Sequence, residues 1–385
     1  MKTVSSDIPS DIPSDIPSTM PQLKHQRADA ALRAHHALCA FMLGTQIFLE
    51  GTARAPQFSG NAMYLCALSA PVCAVVLALT VYALRRRHDM QPLPAVYRAV
   101  WGRFFGGAAC LLTGALFLLD IMGALAMLSA LGDARLMPIG QGGATYLPAL
   151  LALFLAVGFS GSGLERLAFL SRRVTPALLL VLSFLLVRRD PLSNLFPLLG
   201  RSLPETAQGA LCAAGAASCA LALGFSPASL PGDGAAKSRT GIRPLLLGSA
   251  CAVLLLLTVS LSMPASALTP ATRWAELLIH TGSYTENTGI FYLLVLLLEC
   301  FALLCAAAGA LRFAVLSFAG VMRMRMACIV CFALTACAAG GVLLCGSRFV
   351  LAVLPLRFVP ALLLALFTLL ADRIRARRAE GRGEA

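Results

Sequence analysis

Charge is what this chain has least of. Only 13% of its 385 residues are Asp, Glu, Lys or Arg, 58% are hydrophobic, and the mean hydropathy is +0.81. A soluble domain carries about 25% charged residues, so a soluble globular chain is excluded. Histidine is scarce too, at five. His25, His35 and His36 precede the first apolar stretch, and His88 and His280 fall in loops on opposite sides. No converging nucleophiles, metal ligands or histidine pair at depth argue for a membrane-embedded enzyme, so no catalytic site, metal or cofactor is expected. None of the thirteen cysteines lies in an outer loop, which argues against disulfide stapling. Cys328 and Cys331 form a CxxC, but it opens an apolar span with no histidine nearby in sequence and reads as small packing residues. No apolar core follows Lys2, so the N-terminus is not read as a signal peptide.

What the chain has in abundance is apolar runs. About 20 mostly apolar residues make a helix that crosses a bilayer, and ten such spans are expected, near 37–55, 62–84, 107–131, 144–161, 171–187, 207–225, 244–264, 289–316, 327–346 and 350–371. The net charge of +13 is not gathered into a domain that holds a nucleic acid; the basic residues sit at span ends. With the N-terminus inside, 23 of the 31 Lys and Arg are cytoplasmic, and the other 8, Arg357 among them, fall outside. That bias follows the positive-inside rule and places both termini in the cytoplasm. Residues 1–34, with the repeat SDIPSDIPSDIPS from Ser6 to Ser18, are expected to form a disordered tail, 35–371 the membrane domain and 372–385 a basic tail.

A few polar residues interrupt the spans. In span 1, Gly44, Thr45 and Gln46 lie deep enough to mark an unwound segment, while Glu50 sits nearer the outer interface. After Arg85, Arg86 and Arg87 stop span 2, residues 92–107 read as an interfacial helix. Asp120, deep in span 3, costs about 2.5–3.5 kcal/mol to place there and must face protein or a water-filled cavity. Either it is paired or protonated for structural reasons, or it contacts a coupling ion or substrate. Glu299 in span 8 poses the same choice, on a stripe with Ala302, Ala306 and Gly309 suited to close packing. Residues 226–243 read as a flexible cytoplasmic loop, and 269–289 contain a short outer amphipathic helix.

Span 6 is the centre of the chain. Between Gly209 and Ala220 its only bulky side chain is Leu211, so neighbours or a ligand can approach the backbone closely. It also opens a second half that repeats the first. Spans 1–5 cover 37–187 and spans 6–10 cover 207–371. Each half opens with a small-residue or glycine-interrupted span, places an interfacial helix between its second and third spans, and carries a deep acid in the third. Five is odd, so the second half is inserted upside down. The expected architecture is all-α, a 5+5 inverted-repeat transporter fold with broken first and sixth helices and a midplane site.

The run Gly163-Leu-Glu-Arg-Leu-Ala-Phe-Leu-Ser-Arg172, then Asp190-Pro-Leu-Ser-Asn-Leu-Phe-Pro-Leu-Leu-Gly200, the small span 6 and the Trp274-Ala-Glu-Leu-Leu-Ile-His-Thr-Gly-Ser segment resemble the spore-germination permeases. These are the B-type subunits of nutrient germinant receptors, within the amino acid, polyamine and organocation transporter superfamily. The resemblance covers about 37–371. It implies a non-enzymatic sensor of a small nutrient, typically an amino acid, working beside an A-type membrane subunit and a C-type lipoprotein in the spore inner membrane. The alternative is a proton-coupled amino acid transporter of the cytoplasmic membrane in vegetative cells. The implied site comprises Gly44, Thr45 and Gln46 of span 1, Gly215, Ala216 and Ser218 of span 6, with Asp120 and Glu299.

Overall fold

Nearly all of what folds here folds as helix. The computed structural model describes residues 19–53, 60–131, 140–158, 202–226, 234–262, 288–319 and 327–383, and among them there is no strand. Six of the helices are long and apolar enough to cross a membrane. The chain is an all-helical, multi-pass membrane protein.

In chain order the helices are α1 (Thr19–Ala53), α2 (Met63–Arg86), α3 (Leu93–Leu131), α4 (Gly140–Gly158), α5 (Leu203–Ala214), α6 (Gly234–Ser262), α7 (Thr288–Ala319), α8 (Ala327–Cys345), α9 (Ser347–Val353) and α10 (Phe358–Gly383). A 3₁₀ segment, Gly215–Phe225, continues α5, and a 3₁₀ turn, Leu354–Arg357, joins α9 to α10. Every expected span but the fifth overlaps described helix, the sixth running from α5 into the 3₁₀ segment and the tenth from α9 through the 3₁₀ turn into α10. Span 5, the Gly163 and Asp190 runs on either side of it, most of the central connection and most of the outer amphipathic stretch lie outside the described residues.

Four expectations change. First, α1 runs unbroken through Gly44, Thr45 and Gln46. The glycine there serves packing instead of unwinding: a methyl group on Gly44 would come within 3.0 Å of the Gly248 carbonyl oxygen in α6. Thr45 returns its hydroxyl to the Phe41 carbonyl at 2.9 Å, inside the same helix. Second, part of the stretch expected to be a disordered tail is helical, because helix begins at Thr19; residues 1–18 lie outside the described residues. The proline repeat ends at Ser18, and Pro21 lies in the first turn, where its missing N–H costs nothing. Third, the loop expected over 226–243 is helical from Gly234. Fourth, the stretch expected as one interfacial helix is broken at Gly102, and its first limb buries one face against protein. Gly102, at φ 75° and ψ −173°, divides α3 into two limbs, and Val96, Tyr97 and Val100 of the first limb are buried against protein.

The helices pack as an inverted repeat requires. Exchanging each span with its counterpart five positions on turns the pair 1 and 7 into the pair 6 and 2. Both occur: α1 lies along α6, and α2 lies along the 3₁₀ segment. The third spans of the two halves, α3 and α7, lie against each other, as a pair that maps onto itself should. Span 4 against span 8 is answered by span 9 against span 3, which is α4 on α7 and α8 on α3. The stripe that carries Glu299 meets α1, since Gly309 faces Met42 and Leu38 and Ala306 is buried.

Candidate functional site

Span 6 reaches the middle of the bundle through two local choices written in its sequence. Ser202 caps the helix: the Glu205 N–H donates to Ser202 Oγ, and the Ser202 hydroxyl donates to the Glu205 carboxylate at 3.0 Å. Proline inside the first turn completes the start. From Gly215 the helix tightens to three residues per turn. Side chains then eclipse at every third position, and an 11-residue segment of this kind is long, since runs beyond three or four residues are uncommon. Gly, Ala, Ser and Cys tolerate the eclipsing because they have little to eclipse.

One column of the 3₁₀ segment, Ala216, Cys219, Ala222 and Phe225, marks its polar and aromatic contacts. Cys219 donates its thiol to Asp120 Oδ2 at 3.7 Å. Asp120 is paired through Oδ1 with Arg357 at 2.5 Å, both side chains being at most 1% exposed. Arg357 reaches further. Its Nε donates to the Gly215 carbonyl at 3.2 Å, at the point where α-helix becomes 3₁₀, and a terminal nitrogen donates to Gln46 Oε1 at 3.1 Å. The guanidinium thus binds span 1, span 3 and span 6 to the start of span 10. Ser218, one residue before Cys219, is buried, and its hydroxyl has no hydrogen-bond partner among the described residues.

Three of the sequence-predicted residues, Gln46, Asp120 and Gly215, therefore meet at one cation, with Ala216 and Ser218 in the adjoining turn. Gly44 and Thr45 have the helix-packing and intrahelical contacts given above. Glu299 lies in α7, with its side chain outside the described residues. The residue that sequence reasoning misplaced is Arg357, assigned to the outer side and found buried at the heart of the cluster. The signal was available: Leu-Pro-Leu-Arg-Phe sits within an apolar run, and an arginine there requires an acid. Asp120, the deep acid of span 3, supplies it.

Toward the basic end of the bundle the cluster is closed by rings. Phe117 of α3, Phe225 of the 3₁₀ segment and Phe313 of α7 have centroids 5.5 to 5.9 Å apart. His35 of α1 meets Phe313 edge-on at 5.5 Å and donates from Nε2 to the Ala222 carbonyl at 3.1 Å. It was expected to precede the first span; it lies inside the bundle. Beyond the rings Arg85, buried at the end of α2, donates to the carbonyls of Leu223, Ser226, Met90 and Gln91 and to the Ser226 hydroxyl. It caps the 3₁₀ segment and fixes the turn into α3, while Arg86 and Arg87 stay exposed. Asp372 of α10 accepts from Arg87 at 3.0 Å and from His88 at 3.1 Å, so the last helix is fastened to the same end.

No family model matches the chain, and no curated protein is similar to it in sequence. Among solved structures, the chain is similar to that of a manganese transporter from Eremococcus coleocola in complex with an aromatic bis-isothiourea substituted compound. The two are 14% identical with a TM-score of 0.49, over 91% of this chain and 78% of that one.

Proposed function

We propose that this protein binds a small solute in the middle of the membrane, at the junction of spans 1, 3, 6 and 10, and that binding shifts the two repeats between alternative packings. The observation that carries this reading is the buried cluster of Asp120, Arg357, Gln46 and the Gly215 carbonyl, to which both repeats contribute. A bundle held only by packing has no use for it, since each charge costs about 2.5–3.5 kcal/mol to place at that depth. A ligand that changes the contacts of such a cluster has the differential interaction with two states that any switch requires. The binding set comprises Gln46, Asp120, Gly215, Ala216 and Ser218, with Gly44, Thr45 and Glu299 on the same two repeats.

Within that reading the protein is a nutrient sensor of the spore-germination type. Its ligand is an amino acid, and an A-type membrane subunit and a C-type lipoprotein relay the change. The resemblance of the Gly163 and Asp190 runs supports this assignment. Deleting the gene in its own sporulating host and following dipicolinate release from purified spores over a panel of amino acids and sugars tests it. Loss of release to one nutrient, with growth and uptake unchanged, is the expected result. Normal germination with an amino acid uptake defect would replace the sensor by a proton-coupled transporter built on the same site.

A further inference from the structure

We propose that Arg357 is the carboxylate-binding residue of the site and that Asp120 holds it in reserve, so that a zwitterionic amino acid binds by parting the pair. Arg357 then takes the ligand carboxylate and Asp120 takes its ammonium. This rests on the proposed function and specifies its chemistry.

Three observations converge on it. The charges are complementary to a zwitterion, and at 2.5 Å the pair already satisfies itself as a ligand would satisfy it. A guanidinium suits this duty, because its planar fork matches a carboxylate with two parallel hydrogen bonds. Next, the backbone on both sides is compliant. Arg357 ends a 3₁₀ turn and Gly215, its carbonyl partner, begins a 3₁₀ segment. The span 6 backbone beside the pair carries Gly215, Ala216 and Ala217, so it sets no large side chain against the pair. Finally, the Ser218 hydroxyl is buried within one turn of Gly215 with no hydrogen-bond partner among the described residues. A buried polar atom left unmatched is costly, and a ligand's polar group supplies the match. A brace alone accounts for none of these, because a buried pair is replaced at little cost by apolar side chains of similar volume.

The test uses the full-length protein in lipid nanodiscs and a panel of L-amino acids, scored by thermal stabilisation and then by titration of the best one. That amino acid is compared with its methyl ester, which lacks the carboxylate, and its N-acetyl derivative, which lacks the ammonium. Each change is expected to weaken binding at least tenfold. The double variant Asp120→Asn with Arg357→Gln keeps two hydrogen-bonding amides in place of the charges. It is expected to fold and to lose at least tenfold in affinity. Wild-type affinity in the folded double variant would reduce the pair to a brace and leave the proposed function standing. Should that variant fail to fold, the analogues decide on the wild-type protein: equal binding of acid and methyl ester overturns the role of Arg357. If the wild-type protein binds no amino acid of the panel, the amino acid reading itself falls and this inference with it.

Discussion

Two buried arginines hold the interior together, one by serving a carboxylate and a carbonyl, the other by serving carbonyls alone with a hydroxyl. Among the described residues Arg357 alone neutralises Asp120, so removing one member leaves the other buried without its countercharge. Arg357→Met is expected to cost about 3–5 kcal/mol, while Asp120→Leu combined with Arg357→Met recovers most of it. Chemical unfolding of the two variants in detergent, side by side, checks this. Arg85 pairs with no acid among the described residues; it donates to four backbone carbonyls and a hydroxyl. A lysine there keeps the charge but loses the planar fork. Arg85→Lys is therefore expected to destabilise nearly as much as Arg85→Ala, at least 2–3 kcal/mol by the usual worth of hydrogen bonds to charged groups, read as a drop in thermal midpoint. The sequence announced Asp120, because an acid in an apolar run has nowhere ordinary to go. It hid Arg85, because an arginine at a span end looks like one more topology signal, and it masked Arg357 only where the apolar run around that residue was counted as an outer end.

At the scale of elements, hydropathy located the helices well and said little about their internal geometry. Gly44 and Gly102 illustrate the difference. Both are glycines in long apolar helices. The first is spent on close approach to Gly248 in an unbroken helix, and the second on a left-handed kink between two limbs of α3. Glycine permits either, so its presence alone could not choose. Substitution separates them. Gly102→Ala has open space around its new methyl but must hold φ at 75° with ψ near 180°, a region essentially reserved for glycine, at a cost of about 1–3 kcal/mol. Gly248→Leu leaves the backbone angles alone and drives a side chain into the Ala40 carbonyl, 2.5 Å from where its first carbon would sit. The expected result is overpacking by about 1–3 kcal/mol or more, with α1 displaced from α6. Thermal midpoints rank both variants. Engineered disulfide trapping across the α1 and α6 seam is expected to fail only in the second.

Across the described residues, reciprocally paired helices enclose a polar centre, and on the side of Arg85 and Asp372 aromatic rings close it. The matched positions of Asp120 and Glu299 in the third spans of the two halves pointed to a repeat before any packing was known. The reciprocal pairs, span 1 on span 7 and span 2 on span 6, are its physical counterpart. What periodicity could not reveal is the aromatic closure, because Phe117, Phe225 and Phe313 come from three distant stretches and each looks like ordinary apolar filling. Their rings, with His35 tied to Ala222, lie between the cluster and the end carrying Arg85 and Asp372. Cys219 reports on this closure, since its thiol touches Asp120 and its side chain is fully buried. In a variant keeping Cys219 as its sole cysteine, a small charged methanethiosulfonate is expected to react very slowly. Phe313→Ala removes the ring shared by the other two phenylalanines and by His35, and opens a path along α7. Labelling from the basic side should then accelerate at least tenfold, with no change from the opposite side. Equal acceleration from both sides would mean that the helices had loosened generally and that the rings are packing, not a gate. Acceleration from the basic side alone would make the ring cluster the element that a rocking transition must part.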